Sequence, residues 1–328
     1  MDEECANVAS VSKLRACLFD LLESLKILVK FIVISLLCFN LLQTDYTCLL
    51  NLAGDSANDS LPIARSNISR PRVFCLIFTY KELHEYSDIH SQATWLQHCD
   101  RYLFVSNHPH SVLEPLVVKN RYRWGSMLIS FDYVSRYYGN DFDWLLKVNS
   151  DNFVILENLR KLLEPHSPEE PISFGCKMKI KKTRLTYTHG GTVLSREALH
   201  RLITVAFKNS SICYLSDSPY DDEELGRCLR GVDVVFGDTR DAMGRQRFIP
   251  FTPQEYLTEL KPENNEWFLN RSYYEINNTT RQLSPEAISF YNVSPETIVT
   301  LYYYIYKLRI FGKNTPSQNV TEKKIKFN

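Results

Sequence analysis

The sequence predicts an α/β domain with a mostly parallel, doubly wound sheet, and two observations lead to this class. Short apolar runs typical of buried strands, such as 73–80 and 144–148, alternate with stretches of helical periodicity. Alternating strands and helices favour a parallel sheet that is covered on both faces. The chain has 328 residues, 44% hydrophobic and 23% charged, which fits one domain of roughly 250 residues with an N-terminal appendage.

The elements follow in order from Arg72. Strands are predicted over 73–80, 102–105, 144–148, 172–175 and 232–236, and helices over 87–98, 123–138, 156–163 and 195–207. The helices are predicted from apolar residues spaced three and four positions apart, and Ser195 is the expected N-cap of the last helix. The aromatic stretch 302–311 is expected to pack on the domain.

Asp143–Ile155 is the stretch most suggestive of chemistry. An apolar strand ends there in a polar cluster, Asn149 to Asn152, before a helical pattern resumes. Open α/β sheets bind ligands at the carboxyl ends of their strands, so Asp151 is a candidate ligand for a divalent cation. The alternative is an ordinary solvated β-turn, because Asn, Ser and Asp are common turn residues.

Two further stretches each allow a structural and a functional interpretation. Acidic residues are concentrated in the stretch 217–228, where Pro219 indicates the start of a helix. They can serve the helix dipole alone, or one of them can act as a general base. The glycines of 189–194 allow a ligand to approach the backbone closely, or they form a plain turn.

The N-terminal region is expected to lie outside the globular fold. The apolar segment 27–43 follows Lys13, Arg15 and Lys26, and no further Lys or Arg comes between Lys30 and Arg65. This asymmetry predicts a single-pass anchor with the N-terminus cytoplasmic, although a cleaved signal peptide or a buried amphipathic helix remains open. The predicted organisation is a tail over 1–26, an anchor over 27–43, a stem over 44–71, a catalytic domain over 72–312 and a C-terminal tail over 313–328.

Glycosylation sequons and cysteines agree with a lumenal domain. All the Asn-x-Ser/Thr sequons follow the apolar segment, at Asn58, Asn67, Asn209, Asn270, Asn277, Asn278, Asn292 and Asn319. Six cysteines also follow it, and disulfides are expected in an oxidising compartment. The cysteines form no C-x-x-C pair, which argues against a zinc site, and zero net charge argues against nucleic acid as a partner.

The domain resembles the core 1 β1,3-galactosyltransferase family and its non-catalytic relative, the chaperone Cosmc. The resemblance spans about Arg72 to Gly312. The matching stretches are 94–95 with Cys99, 143–147, 157–159, 174–177, 193–199, 226–229, 237–241 and 306–309. It implies a GT-A, Rossmann-like fold in a type II membrane protein of the Golgi or endoplasmic reticulum.

The resemblance also implies an activity, the inverting transfer of galactose from UDP-galactose to O-linked GalNAc on glycoproteins, usually with Mn²⁺. By position, Asp151 matches the metal ligand that ends the family's Asp-x-Asp motif. Asp222, with Asp221 beside it, matches the acid that takes the acceptor's proton. Asn149 stands at the first motif position, where it can still bind a ribose.

Other roles carry over in the same way. Trp124, Gly190 and Gly191 are expected beside the nucleotide-sugar, and Trp267, Tyr273 and Tyr274 beside the acceptor. Cys75–Cys99 and Cys213–Cys228 match family disulfides. Whether the protein forms a homodimer or a heterodimer is left open.

The chain departs from the family pattern at several positions. Asn149 replaces the first motif Asp, Tyr291 replaces a metal-binding His, and Gly125 replaces a Lys. The spacing of His189–Thr192 is closer to the chaperone. Two hypotheses follow: an active galactosyltransferase, or a catalytically lapsed paralogue that acts as a lumenal chaperone or partner of the active enzyme. The enzyme hypothesis fails if Asp151 and Asp222 lie on opposite sides of the protein.

Overall fold

The computed structural model describes residues 70–258, 266–277 and 282–310. The predicted cytoplasmic tail, anchor and C-terminal tail, and the stem up to residue 69, lie outside the described residues. Within them, no helix is both long enough and apolar enough to cross a membrane.

The described domain contains a seven-stranded sheet, with strands in the order β3-β2-β1-β4-β7-β6-β8, and a three-stranded sheet in the order β5-β10-β9. The strands are β1 (Val73–Phe78), β2 (Arg101–Ser106), β3 (Leu116–Val117), β4 (Trp144–Asn149), β5 (Phe153–Val154), β6 (Ile172–Ile180), β7 (Leu185–Ser195), β8 (Val235–Phe236), β9 (Phe248–Ile249) and β10 (Ser289–Phe290). In the larger sheet β7 alone runs against its neighbours β4 and β6. The prediction of a mostly parallel sheet in an α/β domain is therefore confirmed.

Helices cover both faces of the larger sheet. They are α1 (Ile89–Ala93), α2 (Arg123–Tyr138), α3 (Leu156–Leu163), α4 (Arg196–Thr204), α5 (Asp221–Gly231), α6 (Pro253–Thr258), α7 (Glu266–Arg271) and α8 (Pro295–Tyr302). Single turns of 3₁₀ or π type occupy Lys81–Leu83, His84–Asp88, Trp95–His98, Ala206–Lys208 and Tyr303–Lys307. The Ser195 hydroxyl accepts a hydrogen bond from Ala198 N, as expected of the cap of α4.

Two hydrophobic cores lie on opposite faces of the sheet, because successive strand residues point to opposite sides. Val73, Cys75 and Ile77 of β1 pack into the core that holds α3, α8 and the small sheet. The alternate β1 residues pack with α2, α4 and α5. This three-layer arrangement places the carboxyl ends of β1 and β4 at one edge, where the polar cluster begins.

Some local predictions were wrong. The predicted helix over 87–98 is interrupted at Thr94, whose hydroxyl donates to the His90 carbonyl at 2.6 Å and so occupies a helical acceptor. The glycines of 189–194 do not form a plain turn: they lie within β7, where Gly190 and Gly191 adopt φ of 67° and 126°. Conformations of this kind favour glycine and leave the strand free to bend beside β6.

Both predicted disulfides, Cys75–Cys99 and Cys213–Cys228, are present in the structure. The first ties β1 to the turn before β2. The second ties α5 to the segment after α4. Among the cysteines described, Cys176 is unpaired, and burial raises the pKa of its thiol to about 12, so it is not a reactive thiolate.

Helix α5 approaches β7 closely at Gly226. A Cβ atom at this position would lie 2.6 Å from both Thr186 O and Tyr187 Cβ, well inside van der Waals contact. Glycine therefore sets the distance between the strand that carries His189 and the helix that begins at Asp221.

We expect Gly226→Ala to lower the free energy of unfolding by about 1–3 kcal/mol, because the methyl group overpacks the contact with β7. Helix propensity alone predicts the opposite sign, a gain of about 1 kcal/mol. Urea denaturation of the variant and the wild type distinguishes the two. A variant more stable than the wild type would show that the helix can move away from β7 at little cost.

Asp88 is a buried carboxyl behind the polar cluster. It is fully buried, and the Thr79 hydroxyl donates to its Oδ2. Its Oδ1 has no hydrogen-bond partner among the described residues. Burial raises the pKa of Asp88 from 3.8 to about 7, against the lowering effect of the Thr79 hydrogen bond. The folded state therefore holds a proton that the unfolded state releases.

We expect Asp88 to make the wild type less stable as the pH rises from about 4 to about 7, by up to roughly 4 kcal/mol, because the folded state binds this proton more tightly. Asp88→Asn has no titrating carboxyl at this position, so it does not lose this stability as the pH rises. The unfolding free energy of the variant minus that of the wild type should therefore grow from about pH 4 to about pH 7. Urea denaturation at several pH values measures it. A difference that stays constant with pH would contradict the protonated Asp88.

Candidate active site

A cavity of about 410 Å³ opens at the carboxyl end of β4. Its walls come from several elements, which is how open α/β sheets assemble a ligand site. The lining residues are Arg123, Asn149, Tyr187, His189, Pro219, Tyr220, Asp221, Asp222, Glu223, Trp267, Arg271 and Tyr291. One wall is thus acidic, and another is aromatic.

Lys147 is the buried charge on which the acidic wall is built. It lies in the apolar strand β4 with its side chain 3% exposed. Its Nζ donates to Asp221 Oδ2 at 3.0 Å and to Asp222 Oδ1 at 2.7 Å. Burial lowers the pKa of Lys147, but the two carboxylates outweigh burial and raise the pKa above its ordinary value. Lys147 therefore stays charged and fixes the start of α5.

Asp222 makes a second strong contact. Its Oδ2 lies 2.8 Å from Nδ1 of His189, so each of its oxygens has a partner. Burial raises the pKa of Asp222, but Lys147 and His189 outweigh burial and hold the pKa well below its ordinary value. Asp222 is thus a fixed negative charge.

His189 joins the acidic wall to the aromatic wall. Its ring packs edge-on against Trp267, with centroids 5.6 Å apart, and against Tyr291, with centroids 5.1 Å apart. Its side chain is 26% exposed and lines the cavity. A ligand that stacks on the aromatic wall would meet this imidazole.

The stretch from Asn149 to Asn152 contains a turn, but a turn does not account for all of its polar groups. Asn152 Oδ1 accepts from Asn149 N at 2.9 Å, and Asn152 Nδ2 donates to Gly190 O at 2.9 Å. Asn149 Oδ1 and Asp151 Oδ1 are buried and have no hydrogen-bond partner among the described residues. Both oxygens are therefore available to a hydrogen-bond donor or to a cation.

Asp151 lies in the same charged cluster as Asp222. Burial raises the pKa of Asp151, and Arg123, His189 and Lys147 partly offset this rise. Lys147 and His189 also contact Asp222. Asp222 lines the cavity and Asp151 does not, although both interact with the charges of Lys147 and His189. The two acids therefore lie on the same side of the protein, and the condition that would have excluded the enzyme hypothesis is not met.

Three residues expected beside the nucleotide-sugar do not line the cavity. Trp124 belongs to α2 and its side chain is fully buried in the hydrophobic core. Its Nε1–H donates to Tyr214 O at 2.7 Å. Its neighbour Arg123 lines the cavity instead. Gly190 and Gly191 are buried, and a Cβ on Gly190 would lie 3.3 Å from Tyr291 Cβ. The glycines let Tyr291 pack close to β7.

The three expected acceptor residues separate in the structure. Trp267 lines the cavity and is 43% exposed. Tyr273 and Tyr274 lie beside β6 and do not line it: the Lys177 ammonium is 4.6 Å from the Tyr273 ring centroid, and the Arg240 guanidinium is 3.6 Å from that of Tyr274. Cation–π contacts hold these two tyrosines outside the cavity.

Sequence reasoning assigned no role to Lys147, Arg123 or His189. Lys147 had a usable signal, since a Lys within an apolar strand must find a buried partner. No signal in the sequence indicated that His189 pairs with Asp222, because only the folded structure brings these two residues together. Arg123 was counted as part of a helix, and its position on the first turn facing the cavity depends on tertiary packing.

We expect Lys147→Met to destabilise the full chain by about 3–5 kcal/mol, because it leaves two carboxylates buried without a cation. Adding Asp221→Asn and Asp222→Asn to this variant should restore most of the loss. Lys182→Met on an exposed turn is the matched control, with an expected change within about 0.5 kcal/mol. Equal losses in the single and triple variants, measured by urea denaturation, would contradict the pairing.

No family model matches the chain. Among solved structures it is similar to a glycosyltransferase involved in the glycosylation of the major capsid of PBCV-1, at 10% identity and a TM-score of 0.36, covering 72% of this chain and 100% of that one. It is also similar to A197 from STIV, at 14% identity and a TM-score of 0.27, covering 42% and 71%. At these TM-scores neither likeness carries an argument.

A sequence relative is more informative. The chain is 34% identical over 251 residues to glycoprotein-N-acetylgalactosamine 3-beta-galactosyltransferase 1 of Xenopus laevis, covering 74% of this chain and 68% of the relative. Identity at this level over most of both chains shows common descent and confirms the family expected from the sequence. The chain belongs to the glycoprotein-N-acetylgalactosamine 3-beta-galactosyltransferase family.

Proposed function

We propose that the protein is an inverting β1,3-galactosyltransferase with a GT-A fold, which transfers galactose from UDP-galactose to O-linked GalNAc on glycoproteins. The single observation that carries this proposal is the cavity at the carboxyl end of β4, where Asn149, Asp222 and an aromatic wall meet. Asp151 does not line this cavity, but its charge interacts with Arg123 and His189, which do. A catalyst of this reaction must bind a diphosphate, a sugar hydroxyl and an acceptor ring in one place, and this cavity offers a surface for each.

The donor diphosphate is expected near Arg123 and the Asn149–Asp151 turn. Arg123 lines the cavity at the first turn of α2, where its guanidinium can pair with a phosphate. Asn149 can bind a ribose hydroxyl. The acceptor sugar is expected on the opposite wall, with a face against Trp267, because aromatic rings give apolar contact to the carbon face of a sugar while its hydroxyls reach polar neighbours.

The residues present fit a divalent cation, although with few protein ligands. Within the described ranges, no group of three or more His, Cys, Asp and Glu side chains is arranged to hold a metal ion. The two orphaned oxygens, Asp151 Oδ1 and Asn149 Oδ1, are of the hard type that Mn²⁺ and Mg²⁺ accept. When bound there, Mn²⁺ would offset the negative charge of the leaving diphosphate.

The setting follows from the sequence. We place the domain in the lumen of the Golgi or endoplasmic reticulum, attached by the segment 27–43. The described sequon residues Asn209, Asn270, Asn277 and Asn292 are all exposed, as a glycan requires. GalNAc-bearing glycoproteins would be the acceptor partners, and a homodimer or heterodimer stays a separate prediction.

The alternative is a catalytically lapsed paralogue that acts as a lumenal chaperone or partner of the active enzyme. Two observations favour it: both oxygens of Asp222 already have partners, and the metal site has Asn149 in place of an acid. A protein of this kind would bind its partner without transferring galactose.

We expect the wild type to transfer radiolabelled galactose from UDP-galactose to a GalNAc-bearing peptide in the presence of Mn²⁺. Asp151→Asn should lower the rate by on the order of 100-fold or more, because one metal oxygen loses its charge. Asp233→Asn is the matched control, since Asp233 is exposed at the far end of α5 with a φ of 55° that Asn tolerates. Its rate should equal that of the wild type.

Absence of metal-dependent transfer by the wild type would decide for the chaperone alternative. Calorimetry separates the metal from the chemistry: Mn²⁺ should tighten UDP binding to the wild type and have little effect on Asp151→Asn. Equal UDP affinity of the wild type with and without Mn²⁺ would rule out the metal site.

A further inference from the structure

We propose that His189, oriented by Asp222, is the group that takes the proton from the acceptor hydroxyl, an inference that rests on the proposed galactosyltransferase activity. By its position in the family pattern, Asp222 is the residue expected to take this proton. The geometry assigns Asp222 a different task, which is to hold and polarise the imidazole. His189 is then the catalytic residue, and Asp222 is a positioning residue.

Asp222 is badly placed to accept a proton itself. Lys147 Nζ occupies one of its oxygens at 2.7 Å, and His189 Nδ1 occupies the other at 2.8 Å. Its side chain lines the cavity and is 18% exposed, but neither of its oxygens is without a partner. The same contacts hold the pKa of Asp222 well below its ordinary value, and a carboxylate stabilised in this way is a weak base.

The contact with Asp222 fixes the orientation of His189. An ionised carboxylate can only accept a hydrogen bond, so Nδ1 of the neutral imidazole must donate. The lone pair then lies on Nε2, at the other side of the ring. Among the described residues, no group forms a hydrogen bond to Nε2. A neutral imidazole with one nitrogen fixed by a carboxylate and the other free is the arrangement of a general base.

The aromatic contacts place His189 on the acceptor side of the cavity. Its ring lies edge-on to Trp267, the residue expected to stack on the acceptor sugar, and edge-on to Tyr291. A GalNAc ring against Trp267 would therefore bring a hydroxyl next to the imidazole. Asp151, which is expected to serve the donor, affects His189 only through its charge.

Proton transfer to His189 accompanies the transfer of galactose. The O–H bond of the acceptor breaks and its proton goes to Nε2 of His189. The oxygen's electron pair forms the new bond to the anomeric carbon of galactose. The bond between this carbon and the diphosphate breaks, and its electron pair leaves with UDP. The imidazolium, stabilised by Asp222, then returns the proton to solvent.

Charges from every neighbouring element act on His189, and a pH profile reflects all of them. The ionisable groups around it are Arg123 of α2, Lys147 of β4, Asp151 after β4, Tyr187 of β7, Asp221, Asp222 and Glu223 of α5, Arg271 of α7 and Tyr291 after β10. The test therefore compares variants at each pH rather than interpreting one profile alone.

We expect His189→Gln in the full chain to lower kcat for galactose transfer by on the order of 100-fold or more, with little change in the KM for the GalNAc-bearing peptide. Gln is similar in size and can still donate to Asp222, but it cannot take the proton. His200→Gln, at an exposed position of α4, is the matched control and should leave kcat unchanged. Thermal melting and UDP affinity of both variants confirm that the fold and the donor site are intact.

The pH dependence provides the readout that a structural role would not change. Wild-type kcat should fall at acid pH, because a protonated base cannot take the acceptor's proton, and this fall should be absent from the residual activity of His189→Gln. Asp222→Asn should also lower kcat, and the double variant should be no slower than His189→Gln alone, because the two residues act as one unit.

The outcomes separate this inference from the proposed function. If the wild type transfers galactose and His189→Gln keeps the same kcat and the same fall in kcat at acid pH, the role of His189 is overturned. The proposed galactosyltransferase activity is not affected by this result. No transfer by the wild type would overturn both. Nitrogen NMR of His189 gives an independent decision: a proton on Nδ1 in the neutral ring supports the proposal, and a proton on Nε2 overturns it.

Discussion

The candidate site depends on one interaction, the ammonium of Lys147 held between Asp221 and Asp222 inside the protein. A lone Lys in a buried strand would be costly, as would two unpaired acids. Together they bind the first turn of α5 to the centre of the sheet. The N-terminal end of this helix adds a favourable dipole for both acids. The structural and functional interpretations of the acidic stretch are therefore compatible, since the same residues occupy the first turn of the helix and form the cavity wall.

The fold supports this interaction through close contacts rather than through further charges. Gly226 lets α5 lie directly against β7, and Gly190 lets Tyr291 lie against the same strand. β7 is the strand that runs against its neighbours in the larger sheet, and its bend at the glycines brings His189 opposite Asp222. A side chain at either glycine would move a wall of the cavity. The distances in the site are thus set mainly by backbone packing.

Much of the fold could be predicted from the sequence, because its signals are local. The strand over 144–148, the helix over 123–138 and the cap at Ser195 follow from apolar periodicity and capping chemistry, and the structure has them within a residue. The errors arose where other contacts override these signals. The break at Thr94 is a local effect of its hydroxyl on the His90 carbonyl, whereas the continuation of β7 through two glycines depends on its pairing with β6 and β4. The contact between His189 and Asp222, 33 residues apart, is of the same kind.

The charge balance of the site supports the proposed binding of a cation despite the altered motif. Asp151, Asp221 and Asp222 carry three negative charges, and Lys147 and Arg123 carry two positive ones, whereas Glu223 is already paired with Arg271 at 2.8 Å. One negative charge is left over, beside two buried oxygens without partners. An Asp at position 149 would raise the excess to two, so Asn149 weakens the attraction for a cation without removing it. A divalent cation would reverse the sign of the site, and a diphosphate would then restore its balance. We therefore expect the proposed cation to bind together with the nucleotide rather than before it.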